Sequence, residues 1–103
     1  MTDPYSGISA GSFTIQPQER VLFGTPAGAA VVAEADRYGA KRIFVTSTRS
    51  LSQLPDGPLQ RVISALGPRH VGTYSSIASH SPREDVIAGA NQARTAKADL
   101  LVA

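Results

Sequence analysis

Hydroxyl and guanidinium side chains directly follow an apolar run near the middle of the chain. Arg42 to Thr46 reads as a buried strand, and Ser47 to Ser50 reads as the polar loop after it. In dinucleotide-binding sheets this loop commonly carries an acid that hydrogen-bonds the ribose of NAD. Here Ser47 and Arg49 stand there instead, and this pair is better suited to tolerating a 2′-phosphate. The alternative is a solvated loop with an exposed arginine.

A second polar segment, Ser75 to Pro82, contains His80 just before a predicted helix. A histidine there can act as a ligand, as an acid or base, or simply as a polar surface residue. His70 begins a strand and is expected to pack or hydrogen-bond there, so the sequence does not predict a metal site built from histidines. Ser81 to Glu84 is typical of a capping box, with Pro82 at the first helical position.

Two glycine-bearing motifs are interpreted as structural or fortuitous. Gly7 to Gly11 matches the G-x-S-x-G pattern of hydrolases, but no strand precedes it and no helix follows it, so we expect a chance match. Gly24 to Gly28 lacks the lysine of a P-loop. We interpret it as a helix start in which Thr25 is the N-cap and Pro26 is the first helical residue.

Strands and helices alternate along the rest of the chain. Alternation with short connections predicts an α/β fold: a Rossmann-like parallel sheet with helices on both faces, preceded by a short N-terminal β-hairpin. Residues 1–11 are expected to form a flexible leader and residues 12–103 a single α/β domain. The expected strands are Ser12 to Ile15 and Arg20 to Phe23, which form the hairpin, then Arg42 to Thr46, His70 to Tyr74 and Leu100 to Ala103.

The last four residues, Leu100 to Ala103, are an apolar run with no turn residue after it. Such a run is typical of a fully buried strand, whereas chain termini usually lie at the surface. We therefore expect these residues to be part of a longer protein.

Composition narrows the class of protein. The 103 residues carry a net charge of +2 with the basic residues scattered, so a nucleic-acid partner is not expected. The chain has no cysteine, which excludes disulfides and thiolate chemistry. No apolar stretch approaches the roughly 18 residues of a membrane span, so we expect no membrane association and a cytoplasmic location.

Three segments, taken together in their order, resemble the iron-containing alcohol dehydrogenase family. "RVLFGTPAGAAVVAEADRYGAKRIFVTSTRSL" resembles the opening of that family, and "ARTAKADLLVA" resembles the helix and strand that lead into its Gly-rich turn. "ASHSPRED" is similar to the H-x-P segment of the maleylacetate reductases, which reduce maleylacetate to 3-oxoadipate in aromatic degradation. The resemblance implies the N-terminal part of an NAD(P)-binding domain that ends before the pyrophosphate loop and the helical domain, and that is inactive alone.

The resemblance also implies site residues. Ser47 takes the place of the ribose-binding aspartate, so NADPH as well as NADH is expected, and His80 contacts the nicotinamide or the substrate, a small dicarboxylate. No metal ligand of the family falls within this chain, so the requirement for iron or another divalent metal stays open, and a homodimer is expected. The implied cofactor-binding residues are Thr46, Ser47, Thr48, Arg49, Leu51, His80 and Pro82.

A second hypothesis belongs to another class of protein. The same pattern of strands and helices fits a self-contained, non-catalytic binding or assembly module with a flavodoxin-like sheet, because a fold does not dictate a function. Such a module is expected to be a stable monomer with no exposed apolar sheet edge.

Overall fold

The computed structural model describes residues 11–12, 19 and 21–103 of the chain. At its centre is a three-stranded parallel sheet made of β1 (Ile43–Thr48), β2 (His70–Ile77) and β3 (Leu100–Val102). The order across the sheet is β2, β1, β3, so β1 has a strand on each side. This arrangement confirms the predicted α/β fold with a parallel sheet.

Helices fill the connections between the strands. α1 (Ala27–Tyr38) precedes β1, and α4 (Arg83–Thr95) joins β2 to β3. The connection from β1 to β2 holds the short α2 (Arg49–Ser52), then α3 (Pro58–Leu66) and a 3-10 turn at Gly67–Arg69. No helix in the described part of the chain is long and apolar enough to cross a membrane.

The main core lies on the face of the sheet that α1 and α3 cover. Ile43 and Val45 are alternate residues of β1, so they point to the same face, and both are buried. Phe44 points to the opposite face, where it borders residues of α4. Helices therefore cover both faces, as predicted. The side chains that pack with Ile43 and Val45 in one cluster are Ala35, Ala40, Leu59, Val62 and Leu66.

The two helices on the core face approach each other closely at Gly28. A Cβ atom at this position would lie 3.1 Å from the Cβ of Ala65 and 3.3 Å from the carbonyl oxygen of Arg61. A side chain would therefore push α1 away from α3, and the small residue sets the distance between them.

α1 begins one residue later than the sequence predicts. The expectation that Thr25 caps the helix and that Pro26 is its first residue is wrong: Pro26 is the N-cap, and no side chain caps the helix there. Pro26 has a ψ of 136°, an extended value that excludes it from the helix. The other end is where a glycine is expected, since Gly39 takes the left-handed conformation with φ of 68°.

β1 and β2 are longer than predicted. β1 continues to Thr48 and α2 begins at Arg49, so the prediction of a loop from Ser47 to Ser50 is wrong. β2 likewise continues past Tyr74 to Ile77, which pairs with Thr48. Pairing between neighbouring strands satisfies the backbone of these polar residues, and an apolar pattern does not reveal such pairing.

The predicted hairpin and leader fall mostly outside the described residues. Residues 1–10, 13–18 and 20 belong to this group, and they include most of the Gly7 to Gly11 motif. Val21 to Phe23 are described and form no strand, so this part of the hairpin prediction is wrong. Phe23 is 89% exposed, and no strand in the described part of the chain pairs with it.

β3 forms one edge of the sheet. It pairs with β1 through Leu100, Leu101 and Val102, and no strand of the described residues lies on its other side. Leu101 is 63% exposed, so the expectation of a fully buried strand is wrong for this chain. An edge strand keeps one row of backbone groups open, and its side chains are only partly covered.

Hydrogen bonds to Asp99 link the start of β3 to the start of β1. Its carboxylate accepts hydrogen bonds from the backbone amides of Lys41, at 3.0 Å, and Arg42, at 3.0 Å. The guanidinium of Arg42 donates in turn to the carbonyl of Ala96 at 2.8 Å. The two backbone amides stabilise the charged carboxylate and lower the pKa of Asp99. All these contacts lie at the amino edge of the sheet, opposite the predicted site.

Candidate functional site

The predicted site residues are grouped at the carboxyl edge of the sheet. β1 and β2 are parallel, and Thr48 at the end of β1 pairs with Ile77 at the end of β2. The segments that follow these two residues therefore start side by side. One contains Arg49 and the other contains His80, so the topology brings the two predicted segments to a common edge. Open parallel sheets bind their ligands at this edge.

Thr46 and Ser47 are parts of β1 rather than of a loop. Thr46 is half-buried on the face covered by α4, where it lines a cavity. Ser47 is only 8% exposed, and its hydroxyl donates to the carbonyl of Thr48 at 2.9 Å. Ser47 is therefore already satisfied within the chain, and Thr48 is the first exposed hydroxyl at the end of the strand.

Thr48 also organises the turn after β1. Its Oγ1 accepts a hydrogen bond from the backbone amide of Leu51 at 3.3 Å, which makes it the N-cap of α2. Arg49 follows as the first residue of α2 and is exposed. Leu51 is half-buried and packs against the main core. The turn thus presents a hydroxyl and a cation outward while it buries an apolar side chain.

Two cavities flank the edge, one on each face of the sheet. The first, of about 240 Å³, lies beneath α4 and is lined by Thr46, Ile77, Asp85 and Leu101 among others. The second, of about 230 Å³, lies on the side of α1 and α3. Its lining residues include Leu51, Val102 and Ala103. Thr46 and Leu51 therefore border cavities on opposite faces of the sheet.

The loop that carries His80 differs from the predicted capping box. Pro82 is the N-cap of α4 and no side-chain hydrogen bond caps the helix, so Ser81 lies one residue too early to do so. The backbone amide of Ser81 instead donates to the carbonyl of Ala78 at 3.1 Å. His80 is exposed in this loop and Pro82 is half-buried.

Asp85 is a residue at this edge that sequence reasoning missed. Its Oδ2 accepts a hydrogen bond from the backbone amide of Ala78 at 2.8 Å. The available signal was an acid in the first turn of the helix that follows the loop, but an acid there also suits the helix dipole. The sequence therefore did not distinguish the two roles.

His70 has the structural role that was expected of it. Its Nε2 lies 2.6 Å from the Oγ1 of Thr73 in the same strand. This pair is at the start of β2, far along the strand from the carboxyl edge. Within the described residues, no three histidine, cysteine, aspartate or glutamate side chains are grouped so that they could hold a metal ion.

The donors at the carboxyl edge suit an anionic ligand. Thr48 supplies a hydroxyl and Arg49 a guanidinium, and residues 46–51 include no carboxylate. Guanidinium groups match the geometry of phosphate oxygens, and an acid at the end of β1 would repel them. The exposed Thr48 and Arg49 can therefore bind an anionic group at the end of β1.

Comparison with known sequences identifies relatives that are much longer than this chain. No family profile matches the chain. The chain is 38% identical over 84 residues to maleylacetate reductase 2 from Cupriavidus pinatubonensis, a match that covers 82% of this chain and 22% of that protein. It is 34% identical over 83 residues to dehydrogenase FUM7 from Gibberella moniliformis, covering 80% of this chain and 19% of that protein. The chain thus spans about a fifth of the length of these relatives.

Solved structures agree with the sequence matches. A candidate alcohol dehydrogenase from Ralstonia eutropha JMP134 superposes with a TM-score of 0.70 at 31% identity, over 89% of this chain and 25% of that one. Maleylacetate reductase from Agrobacterium tumefaciens superposes with a TM-score of 0.68 at 26% identity, over 89% of this chain and 25% of that one. Both comparisons therefore give the same kind of protein, and in sequence and fold the chain matches the N-terminal portion of the iron-containing alcohol dehydrogenase family, in its maleylacetate reductase branch.

Proposed function

We propose that this chain is the N-terminal part of the cofactor-binding domain of an NAD(P)H-dependent reductase that converts maleylacetate to 3-oxoadipate. One observation carries the proposal: a chain 38% identical to a maleylacetate reductase places Arg49 and His80 at the carboxyl edge of a parallel sheet. In this proposal residues 12–103 precede a Gly-rich pyrophosphate loop and a helical domain, and the 103 residues alone do not turn over substrate.

The donor set fits a phosphate-bearing dinucleotide. Thr48 and Arg49 are exposed at the end of β1, where an acid would select the free ribose hydroxyls of NADH. With a hydroxyl and a cation in its place, a 2′-phosphate is accepted as well. We therefore propose that the protein uses NADPH and NADH.

When bound, the reduced nicotinamide supplies a hydride to the activated carbon-carbon double bond of the substrate. The residues of this chain bind and orient. Thr48 and Arg49 hold the ribose and its phosphate, and Leu51, beside the core, contacts the adenine. His80 contacts the nicotinamide or the dicarboxylate, and Pro82 fixes the end of its loop. A protein that positions two reactants in this way lowers the barrier without supplying a chemical group.

The test uses the protein as its own cells produce it. We expect maleylacetate to be reduced with consumption of either NADPH or NADH, followed by the absorbance of the reduced nicotinamide. A simple primary alcohol with NAD⁺ is the matched alternative reaction. If the alcohol is oxidised and maleylacetate is not reduced, the proposal that maleylacetate is the substrate is refuted.

Partners are part of the same proposal. We propose that the whole protein is a homodimer, the commonest symmetric assembly of soluble enzymes. Sedimentation of the protein isolated from its cells measures this directly, and a monomeric mass would contradict it.

A further inference from the structure

The loop between β2 and α4 holds two successive residues in a conformation that side chains disfavour. His80 has φ of 64° and Ser81 has φ of 46°, both in the left-handed region. A residue with a Cβ atom crowds its own backbone there, which costs free energy. Such residues persist where surrounding contacts hold them, and they are frequent at functional sites. Hydrogen bonds at the base of this loop are such contacts.

Both polar groups of Ala78 are engaged at the base of the loop. The amide of Ala78 donates to Oδ2 of Asp85 at 2.8 Å, and its carbonyl accepts from the amide of Ser81 at 3.1 Å. Asp85 thus closes the segment from residue 78 to residue 85 with a charge-assisted hydrogen bond, which is stronger than a neutral one.

Asp85 is suited to this role because it lies on a helix that is packed against the sheet. It is half-buried and lines the cavity beneath α4, together with Thr46 of β1. α4 packs against the sheet, where the backbone of Gly89 comes close to the ring of Tyr74. Because α4 is held against the sheet, the carboxylate of Asp85 fixes the base of the exposed loop relative to α4.

A comparison with Glu84 distinguishes the hydrogen bond of Asp85 from a general electrostatic effect of an acid at the helix N-terminus. Glu84 lies beside Asp85 in the first turn of α4, and both carry the charge that a helix N-terminus favours. Glu84 is exposed, whereas Asp85 binds Ala78. A role through the helix dipole predicts similar effects for the two residues, and a role through the hydrogen bond predicts an effect for Asp85 alone.

We propose that Asp85 is the positioning residue of the carboxyl edge. Its hydrogen bond to Ala78 holds His80 in the left-handed conformation and so keeps the imidazole at the place where it contacts the nicotinamide. The inference rests on the proposed function and takes the first of the two contacts proposed there for His80, the one to the nicotinamide.

The experiment compares Asp85→Ala, Asp85→Asn, Glu84→Ala and His80→Ala in the protein as its cells produce it. Two quantities are measured: the dissociation constant of NADPH, from its fluorescence, and hydrogen exchange of the peptide that contains Ala78. We expect Asp85→Ala to raise the dissociation constant about tenfold, because the loop is then in its binding conformation in only about a tenth of the molecules, and to accelerate exchange. Asp85→Asn restores most of the affinity because its amide oxygen still accepts, and Glu84→Ala changes neither quantity.

The outcomes separate this inference from the proposed function. If His80→Ala weakens NADPH binding but Asp85→Ala does not, the positioning role is overturned and the cofactor assignment stands. If His80→Ala leaves the dissociation constant of NADPH unchanged, the contact of His80 with the cofactor is overturned, and the positioning role of Asp85 is overturned as well. Exchange of Ala78 is independent of any ligand, so unchanged exchange in Asp85→Ala overturns the inference even for a protein that binds no NADPH. Thermal unfolding of each variant confirms that it is folded.

Discussion

Ser47 stands where a dinucleotide-binding sheet commonly carries an acid, and its hydroxyl is satisfied by the carbonyl of Thr48 at 2.9 Å. Because Ser47 is buried in β1, the exposed donors at this edge are Thr48 and Arg49. At the scale of single residues, the proposed function therefore predicts that cofactor preference depends on the residues that follow Ser47.

Arg49→Ala tests this dependence. We expect the affinity for NADPH to fall about tenfold, the usual effect of losing a hydrogen bond between charged groups, while the affinity for NADH changes little. Binding of the two cofactors is measured by titration. Arg61→Ala removes another exposed arginine, from α3, and serves as the control. Equal losses for both cofactors would show that Arg49 does not recognise the 2′-phosphate.

Asp99 predicts a pH dependence of stability. Its pKa is lowered in the folded chain by the amides of Lys41 and Arg42. A lowered pKa means that the folded state binds the proton less readily than the unfolded state. The contribution of Asp99 to stability is therefore fully present above its unfolded pKa, near 3.8, and is lost as the pH falls through the folded pKa.

Urea unfolding of the chain and of Asp99→Asn between pH 6 and pH 3 measures this contribution. We expect the variant to be less stable at the upper end and the difference to shrink on acidification. Asp56→Asn removes the same charge from an exposed loop and controls for net charge. A stability difference that is independent of pH would contradict the assignment.

At the scale of elements, α1 and α4 end in the same way with different residues. The amide of Ala40 bonds to the carbonyl of Ala35 after α1, and the amide of Ala98 bonds to the carbonyl of Ala93 after α4. The left-handed residue in between is Gly39 in the first case, with φ of 68°, and Lys97 in the second, with φ of 56°. Glycine takes this conformation without a steric cost, and lysine does not.

Lys97→Gly should therefore stabilise the fold. Relief of the left-handed conformation is worth about 1 kcal/mol, offset by a few tenths for the loss of a cation near a helix C-terminus. The free energy of unfolding in urea measures the net gain. Gly39→Ala is the reciprocal variant and should destabilise by about 1 kcal/mol. If both variants had the same sign, the backbone conformation would not be the cause.

The contact between α1 and α3 makes a second prediction at this scale. Gly28→Val adds a branched side chain where a single Cβ would already lie 3.1 Å from Ala65, so we expect about 1–3 kcal/mol of destabilisation. Ala29→Val, at an exposed position of the same helix, should cost only about 0.5 kcal/mol through helix propensity. Similar losses of unfolding free energy in both variants would show that α3 can move away from α1 at little cost.

At the scale of the whole molecule, the sheet has an apolar edge. Leu101 on β3 is 63% exposed, and Phe23 is 89% exposed. A groove of about 270 Å³ runs between α1 and β3, lined by Val31, Tyr38 and Leu101 among others. The hypothesis of a self-contained monomeric module predicted no exposed apolar sheet edge, and this surface does not fit that prediction.

The 103-residue chain studied alone should therefore self-associate, because an open strand edge with apolar side chains pairs readily with another copy. Leu101→Lys places a charge on the edge and should shift the chain toward monomer in sedimentation. Val86→Lys introduces the same charge at an apolar position of α4 that is 52% exposed, and it should not. Loss of association in both variants would point to net charge as the cause.

Local chemistry allowed much of the fold to be predicted from sequence. Apolar periodicity located the three strands of the sheet but not the short α2, where a loop was expected, and Gly39 marked the end of α1. Helix starts were predicted less well: Pro26 and Pro82 are both N-caps rather than first helical residues. A proline fixes φ but not ψ, and the extended ψ of 136° and 146° at these residues places them outside the helix.

The sequence by itself determined the composition of the carboxyl edge, since a strand followed by Ser47 and Arg49, and a loop with His80, are visible as residue types in order. Tertiary structure decided the rest. Pairing of β1 with β2 turned the predicted loop into strand and set Ser47 inside it, and the reach of Asp85 back to Ala78 shaped the loop of His80. Periodicity is a local property, whereas strand pairing and a hydrogen bond across seven residues depend on which segments the fold brings together.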